Sequence, residues 1–512
     1  MHQHADNIQR EYQVAIIGAG FGGIIAARAF KPVVGDGLVI FEKAGKAGGV
    51  WRDNIYPGCA CDVPANLYSI KSVPNPDWSA RFAPQPEILA YIDDVINRSD
   101  LVKHIRYQTD IKAVRFVKER GGWLLTDAAG HKCFAKMVIM ATGSLNKPNL
   151  PFADQYNSFK GKILHSAQWD NSLDYKNKRI AVIGTGASAI QIIPEIAASA
   201  AELHVFQRSP AWVIPRRQSR NTVFKRLIYH YIPPLQWFSR ERTYWFYELI
   251  GLALTGNVFF NRLLGIHASR LLNRQVKDPR LRRELTPDYK LGCKRIVVSD
   301  NFYRVFNRAN VHLITDSVMG ITSNGIITRK DKVTEVDVII LATGFNLIGA
   351  INSVEVTGLH QHTLREDYAD NIEAYLGINV AGYPNFTFIM GPNSGPGHIS
   401  VIHIIESQVS YILKYWDALI KKGLNGSLDV KPETQKRYNE DLAARFGKTV
   451  WASGCRSWYL NEDGKNFTLY PELAYRYRQR TNKFNMDDYI YRGCNLPELS
   501  EVYDFDKYGH SL

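Results

Sequence analysis

Residues 14–23 read VAIIGAGFGG, a short apolar run that is followed at once by a glycine-rich turn. The turn contains the pattern GxGxxG, formed by Gly18, Gly20 and Gly23. In such a pattern the first glycine permits a tight turn, the second lets a pyrophosphate approach the backbone, and the third lets a helix pack closely on the strand. The next apolar run ends in Glu42, 24 residues after Gly18, where a carboxylate can accept hydrogen bonds from a ribose diol. The stretch therefore predicts a Rossmann-like unit that binds a dinucleotide with free ribose hydroxyls.

A second strand–turn–helix signal follows at 181–189, which read AVIGTGASA. Its pattern is GxGxxA, formed by Gly184, Gly186 and Ala189. Arg208 stands 24 residues after the first glycine of this turn, at the offset that Glu42 has in the first motif. A guanidinium there can bind a 2′-phosphate bidentately, whereas an acid would repel it, and Ser209 is a plausible further donor. The second site is therefore expected to take NADPH; the alternative is that Arg208 is a plain surface charge.

The two turns begin 166 residues apart, which predicts two separate nucleotide-binding domains. Two further apolar strands, at 138–144 and 338–345, each end in Ala-Thr-Gly, where the backbone can approach a cofactor closely. Together these signals suggest FAD and a nicotinamide cofactor. We expect an α/β fold of two Rossmann-like, three-layer (ββα) domains with a helical insert. The expected ranges are 1–155 and 341–512 for the FAD-binding domain and C-terminal region, 156–215 and 291–340 for the NADP-binding domain, and 216–290 for the insert.

The 512 residues carry 63 Lys and Arg against 49 Asp and Glu, a formal charge of +14. With 45% hydrophobic residues and six cysteines, the chain is neither a disordered chain nor a small disulfide scaffold. A basic balance is compatible with nucleic acid, a membrane surface or an anionic small molecule. Residues 201–300 hold 18 Lys and Arg against 7 Asp and Glu, so most of the excess lies near Arg208 and in the insert. This location favours an anionic cofactor and leaves membrane-surface contact through the insert open; no motif supports nucleic acid.

The first residues contain no apolar run typical of secretion, and His2 and His4 are expected in a solvated tail rather than a metal site. No stretch of about 20 residues is apolar without interruption. The nearest, Tyr244 to Phe260, contains one Glu and one Asn and is predicted to be a buried helix of the insert, with a membrane-surface helix as the alternative. The sparse cysteines favour a reducing, cytoplasmic compartment. No metal site is predicted.

Two longer motifs accompany the glycine turns. The segment FKGKILHSAQWD fits F-x-G-x-x-x-H-x-x-x-W-[P/D] at Phe159, Gly161, His165, Trp169 and Asp170. The segment GVWRDNIYPGCACD fits G-x-W-x-x-x-x-[F/Y]-P-G-x-x-x-D at Gly49, Trp51, Tyr56, Pro57, Gly58 and Asp62. On these motifs, which specify ten or more positions, the chain resembles the type I Baeyer–Villiger monooxygenases over most of its length.

The resemblance implies FAD and NADPH as cofactors and a small-molecule ketone and O₂ as substrates. In that family NADPH reduces FAD, O₂ gives a C4a-peroxyflavin, and one oxygen atom is inserted next to the ketone carbonyl to give an ester or lactone. The alternative is a flavin-containing monooxygenase that oxidises nitrogen or sulfur, since those enzymes share both glycine motifs. Rivals from other classes are a pyridine-nucleotide disulfide oxidoreductase and a membrane-surface binding protein.

The resemblance also implies roles for individual side chains. The family places an Arg near the flavin within a Lys-Arg pair, here Lys294-Arg295, so Arg295 is expected to stabilise the anionic oxygen species. Lys294 is expected to bind the 2′-phosphate together with Arg208. Asp62 would orient Arg295 as its counter-ion, or else be an ordinary turn residue. Trp51 would pack beside the flavin, or else be a core tryptophan.

Three features need separate interpretation. His165 could be interpreted as a general base, but it lies on the linker that enters the second domain. This place favours a hinge that couples domain motion to the position of the cofactor. Cys59 and Cys61 lie where disulfide reductases carry a redox pair, yet a disulfide at C-x-C spacing would be strained. The insert shapes substrate access in the family, and its aromatic residues would line a tunnel or simply form core.

Overall fold

The structure is a computed structural model that describes residues 8–461 and 463–493, so the predicted tail with His2 and His4 lies outside the described residues. The strands, in chain order, are β1 (Ile8–Ile17), β2 (Leu38–Phe41), β3 (Ile105–Arg106), β4 (Ile111–Val117), β5 (Gly122–Asp127), β6 (Lys132–Met140), β7 (Lys162–His165), β8 (Arg179–Ile183), β9 (Glu202–Phe206), β10 (Val213–Ile214), β11 (Val297–Val298), β12 (Val311–Ile314), β13 (Val318–Thr322), β14 (Gly325–Thr328), β15 (Val333–Glu335), β16 (Val338–Leu341), β17 (Glu355–Thr357), β18 (Phe386–Phe388), β19 (Ser427–Val430) and β20 (Tyr489–Arg492).

The α-helices of the described residues complete the layers. In chain order they are α1 (Phe21–Val34), α2 (Val50–Asp53), α3 (Gln85–Arg98), α4 (Ala189–Ile196), α5 (Val223–Tyr231), α6 (Pro233–Leu254), α7 (Val258–Gln275), α8 (Pro279–Glu284), α9 (Phe302–Val305), α10 (Leu347–Ile351), α11 (Leu364–Asp370), α12 (Val401–Lys422), α13 (Pro432–Phe446) and α14 (Ala474–Thr481).

The first large sheet joins both ends of the chain. Its strand order is β17-β4-β5-β6-β1-β2-β3, and β18 also pairs with β6. The apolar run of β1 lies between β2 and β6 in parallel register and is buried on both faces, as central strands of a parallel sheet are. Helix α1 packs between this sheet and α12, where Phe30 meets Trp416 at 6.2 Å between ring centroids. One hydrophobic core therefore combines residues from the first third and the last third of the chain.

The second sheet is entirely parallel, in the order β12-β9-β8-β16-β7. One face packs on α4 through alternate side chains such as Val182 and Ile193. The other face packs on the antiparallel strands β13–β15, where Ala181 and Phe206 meet Ile326. Helix, parallel sheet and antiparallel sheet make the three layers that the sequence predicts. The α/β class with two Rossmann-like units is confirmed, while the domain limits given above stay predictions.

The helical insert differs from the sequence-based expectation. The run from Tyr244 to Phe260 is not one buried helix, because Gly256, with φ +109°, separates α6 from α7. Large apolar side chains of this run, Trp245 and Phe246 among them, are exposed. No single helix of the described residues is long and apolar enough to cross a membrane; α6 and α7 would pass that test only as a pair, and they are bent by 103°.

Polar side chains dock α6 on the rest of the molecule. Arg240 donates to the backbone carbonyls of Asn66 and Ser69, at 3.0 and 2.6 Å, and its Nη2 lies 3.5 Å from the Glu406 carboxylate on α12. Burial lowers the pKa of the Arg240 guanidinium and raises the pKa of Glu406. Each charge is therefore tolerated in this interface because the other is present.

Arg240→Ala is expected to lower the free energy of unfolding by about 3 kcal/mol, because it leaves a largely buried carboxylate and two carbonyls without their cation. Arg242→Ala, at an exposed position of the same helix, should change it by less than about 0.5 kcal/mol. Urea unfolding of both purified variants measures the difference, and equal losses would contradict the assignment.

Candidate functional site

The first glycine turn has the close contacts that its motif requires. Gly18 donates from its backbone N to Phe41 O at 2.8 Å and has φ +106°. A Cβ on Gly18 would lie 2.6 Å from Ala141 O, and one on Gly23 would lie 1.8 Å from Gly18 O. A Cβ on Gly20 would have only the Cα of Gly49 within 4 Å, at 3.8 Å. The turn is thus tight at its first and third glycines and open at the second, where a phosphate would approach.

Glu42 lies directly after β2 with its carboxylate turned toward this glycine turn. The carboxylate accepts from Ala19 N and Ala44 N, both at 2.9 Å, and from Arg52 Nη1 at 2.9 Å. Three donors hold the side chain in one orientation, and a carboxylate offers about four acceptor positions. Arg52, which the motif analysis did not single out, is part of this arrangement.

The second turn repeats the geometry of the first. Gly184 donates to Phe206 O at 2.9 Å and has φ +112°, and a Cβ there would lie 2.5 Å from Ala342 O. A Cβ on Gly186 would have no atom within 4 Å, and Ala189, the first residue of α4, is fully buried. In both units the first glycine therefore lies against the alanine of an Ala-Thr-Gly strand end.

Two cations and a hydroxyl converge beside the second turn. Lys294 Nζ donates to Ser209 Oγ at 2.8 Å and lies 4.6 Å above the ring of Tyr289. Burial lowers the pKa of Lys294, and the positive charge of Arg208 lowers it further. Arg208 itself is exposed after β9. An anion bound between these two cations would relieve their repulsion.

Arg295 and Asp62 form an ion pair across the seam between the two units. Arg295 Nε lies 3.2 Å and its Nη2 2.5 Å from Asp62 Oδ2. The Asp62 carboxylate raises the pKa of the Arg295 guanidinium, so the cation is permanent. The Arg295 side chain is still 43% exposed, so part of the guanidinium is accessible. Tyr459, a residue outside the motifs, is buried near this pair. Burial raises the pKa of Tyr459 to about 12, and the positive charge of Arg295 acts in the opposite direction.

Trp51 lies on α2, between the cores of the two units. Its Nε1 donates to Tyr68 OH at 3.0 Å, and its backbone O accepts from Gln85 Nε2. The indole is half-buried, so it is neither a fully enclosed core residue nor a free surface ring.

The Tyr56–Asp62 segment is bound to the second unit through one residue that sequence reasoning missed. Gln191 of α4 accepts from Tyr56 OH at 3.0 Å and donates to Ala60 O at 2.9 Å. A Cβ on Gly58, where φ is +77°, would lie 2.8 Å from Gln191 O. The only sequence signal for Gln191 is its place in the first turn of the helix that follows the second glycine motif.

The motif residues of the segment FKGKILHSAQWD make structural contacts. His165 ends β7 and is buried; Ala167 N donates to its Nδ1 at 3.1 Å, so its Nε2 donates to Gly344 O at 3.1 Å. Burial lowers its pKa, which keeps the ring neutral. A Cβ on Gly161 would lie 2.2 Å from Asp337 O. The remaining members are Phe159 and Trp169, which are buried in hydrophobic clusters, and Asp170, whose pKa is lowered by Lys162 and Ser172.

The two cysteines of the segment GVWRDNIYPGCACD are not joined to each other. Cys59 and Cys61 are both free and buried, and burial raises the pKa of Cys59 to about 11 and that of Cys61 as well. Both are therefore held as unreactive thiols. A disulfide that the sequence analysis did not foresee joins Cys293, next to Lys294, to Cys455.

Comparison with known proteins agrees with this geometry. The flavin-binding monooxygenase-like family model matches residues 11–351. A Baeyer–Villiger monooxygenase of Pseudomonas aeruginosa is 40% identical over 96% of this chain and 93% of its own length. A Baeyer–Villiger monooxygenase of Streptomyces coelicolor is 36% identical over 96% of this chain and 94% of its own length.

Solved structures agree as well. OTEMO in complex with FAD and NADP superposes with a TM-score of 0.83 at 27% identity, over 94% of this chain and 99% of that one. An oxidized steroid monooxygenase bound to NADP superposes with a TM-score of 0.82 at 28% identity, over 94% of this chain and all of that one. The chain therefore belongs to the flavin-binding monooxygenase-like family and, within it, to the Baeyer–Villiger monooxygenases.

Proposed function

We propose that the protein is an NADPH- and O₂-dependent FAD monooxygenase that inserts one oxygen atom next to a ketone carbonyl and so forms an ester or lactone. The observation that carries the proposal is the Asp62–Arg295 ion pair, a permanent and partly exposed cation at the seam between two dinucleotide-type turns. The two relatives named Baeyer–Villiger monooxygenase support the ketone as substrate class.

The residues of the first turn fit FAD. The open face of Gly20 leaves room for the pyrophosphate at the start of α1, where backbone N–H groups and the helix dipole favour an anion. Glu42 is oriented to accept from the adenosine ribose. Trp51 is half-buried and would pack beside the flavin. When bound and reduced, the flavin would supply the activation of O₂.

The residues of the second turn fit NADPH rather than NADH. The open face of Gly186 leaves room for the pyrophosphate, as Gly20 does in the first unit. Arg208, Ser209 and Lys294 offer two cations and a hydroxyl to one phosphate. The charge of Arg208 adds to burial in lowering the pKa of Lys294, and a bound phosphate would relieve that repulsion. A 2′-phosphate would meet all three donors.

Arg295 would act on charge that develops as oxygen is transferred. A fixed guanidinium in a cleft stabilises a developing oxyanion without having to reorganise, which is the usual source of such catalysis. Asp62 would orient the guanidinium through Nε and Nη2 while leaving Nη1 free to face the reacting atoms. His165 would act as a positioning residue, because both ring nitrogens are engaged in tying β7 to the Ala-Thr-Gly turn after β16.

A product assay tests the proposed reaction. The purified flavoprotein, supplied with NADPH under air, is expected to convert at least one member of a ketone panel to an ester or lactone. A panel of thioethers and amines, run in parallel, measures oxidation at sulfur and nitrogen. Formation of sulfoxide or N-oxide alone, with no ester from any ketone, would contradict the proposed reaction and support a monooxygenase that oxidises nitrogen or sulfur.

Arg295→Ala is expected to leave flavin reduction by NADPH measurable and to lower ester formation at least about 100-fold, because the cation that meets the developing charge is gone. Stopped-flow absorbance follows the reduction and gas chromatography the ester. Arg329→Ala, an exposed cation on the turn between β14 and β15, is the matched control. Undiminished ester formation by the Arg295 variant would refute the role.

Arg208→Ala is expected to raise the KM for NADPH about 10- to 100-fold, the effect of losing a charge-assisted hydrogen bond to phosphate. The KM for NADH should change little, because NADH has no 2′-phosphate. Steady-state oxidation of the two cofactors measures the ratio, and an equal effect on both would count against the assignment.

A further inference from the structure

A surface helix of a globular protein usually buries its apolar side chains and exposes its polar ones. Helix α6 does the reverse along most of its length. The positions that face the rest of the molecule are spaced by three or four residues; they are Gln236, Arg240, Tyr244, Glu248 and Gly251. Two further polar contacts hold this face: Gln236 donates to Asn75 O at 2.6 Å, and His398 Nε2 lies 3.5 Å from the Glu248 carboxylate. The buried face is thus polar along most of the helix, and Ala253 and Leu254 add apolar contacts at its last turn.

The opposite face is apolar and exposed. Leu235, Phe238, Trp245 and Leu249 recur at the spacing of one helical stripe, and every one of them is exposed. Helices α5 and α7 continue the pattern with side chains such as Phe224, at 73% exposure, and Phe259, at 72%. Of the 27 large apolar side chains that are exposed among the described residues, 15 lie between residues 223 and 266. Exposed apolar area concentrated in this way indicates an interaction surface.

Basic side chains lie on the same stripes. Arg242 falls between Phe238 and Trp245 on α6, and Arg262 and Arg270 lie on the face of α7 that exposes Phe259. Within the part of the chain that the structure describes, no ion pair involves these three arginines. Helices α5 to α7 hold seven Lys and Arg against two Glu, and both glutamates lie on or beside the inner face of α6. We name the exposed apolar and basic side of these three helices the insert face.

We propose that the insert face docks on the surface of an anionic lipid bilayer. Apolar side chains that enter the acyl boundary, with arginines at headgroup level, are the arrangement of helices that lie in a membrane interface. The buried polar pairs of α6 hold it on the protein, so the helices would rest on the bilayer rather than cross it. The inference does not depend on the proposed reaction.

Charge decides between a bilayer and a second copy of the chain. A symmetric dimer through the insert face would bring like-charged arginine sets together, and juxtaposed like charges oppose association. Anionic headgroups instead provide the complementary charge. Most of the net positive charge of the chain lies in the stretch that contains the insert, which agrees with an anionic partner for the insert face.

Sedimentation with large unilamellar vesicles tests the proposal on the full-length flavoprotein. The vesicles consist of phosphatidylcholine alone or with phosphatidylglycerol as the anionic lipid. Binding to the anionic vesicles is expected to be at least about tenfold tighter than to phosphatidylcholine vesicles and to weaken as salt is added. Absence of binding to the anionic vesicles at low salt would overturn the proposal.

Two sets of substitutions separate the apolar and the basic contributions. Phe238→Ser combined with Phe259→Ser should weaken binding about tenfold or more on both kinds of vesicle. Arg242→Gln, Arg262→Gln and Arg270→Gln together should weaken binding to anionic vesicles about 100-fold, at about fivefold for each charge, and leave binding to phosphatidylcholine nearly unchanged. If the phenylalanine variant fails to fold, the arginine variant alone decides the result.

Matched controls carry the same changes elsewhere. Val102→Ser with Met319→Ser removes two exposed apolar side chains, and Arg329→Gln, Lys330→Gln and Lys332→Gln together remove three exposed cations. Both controls should bind vesicles within about twofold of the unmodified chain. Losses equal to those of the insert variants would contradict the proposal. So would a dimer, seen by analytical ultracentrifugation, that the phenylalanine variant abolishes while vesicles are not bound.

NADPH consumption and bound flavin are measured for every variant. They keep the test distinct from that of the proposed function, because vesicle binding needs no turnover. A protein that binds vesicles but forms no ester would support the docking inference and contradict the proposed reaction.

Discussion

Two backbone contacts that leave no room for a side chain, Gly18 against Ala141 and Gly184 against Ala342, govern the rest of this structure. Each brings a glycine turn onto the end of a neighbouring parallel strand, and a Cβ at either glycine would collide with a carbonyl oxygen. The strand, the turn and the helix that follows are thereby held in one geometry in both units. The second glycine of each turn is left open, so the space for a dinucleotide in both units follows from the same local constraint.

The two units meet through side chains that come from distant parts of the chain. Arg295 reaches Asp62 over 233 positions, and Gln191 engages the Tyr56–Asp62 segment over about 131 to 135 positions. These contacts couple the position of the cation to the relative position of the two units. A change in the angle between them would therefore move Arg295 in relation to the flavin side, which is consistent with a seam that takes part in function.

The insert shows a different balance of forces. Helix α6 is held by polar contacts with buried partners and by apolar contacts of Tyr244 and Leu254, while it presents its apolar stripe outward. The hydrophobic effect therefore explains only part of where the helix lies. Its buried charges are stabilised by each other, as the Arg240–Glu406 pair illustrates. The apolar and basic surface that results is available to a partner outside the chain.

The local sequence determined the turns, the strands that precede them and the charge change from Glu42 to Arg208, because these depend on residues within about 25 positions and on steric limits of the backbone. The family resemblance, rather than the motif alone, implied that Asp62 lies beside Arg295, and the structure brings the two together. Tertiary structure decided what motifs leave open: the two hydrogen bonds of His165, the bridging place of Gln191, the Cys293–Cys455 disulfide and the break in the insert at Gly256. Each of these depends on a partner far away along the chain or on which face of a helix is covered. Hydrophobicity alone predicted burial for the run from Tyr244 to Phe260, whereas polar partners on α12 and its neighbours turned the apolar side of α6 outward.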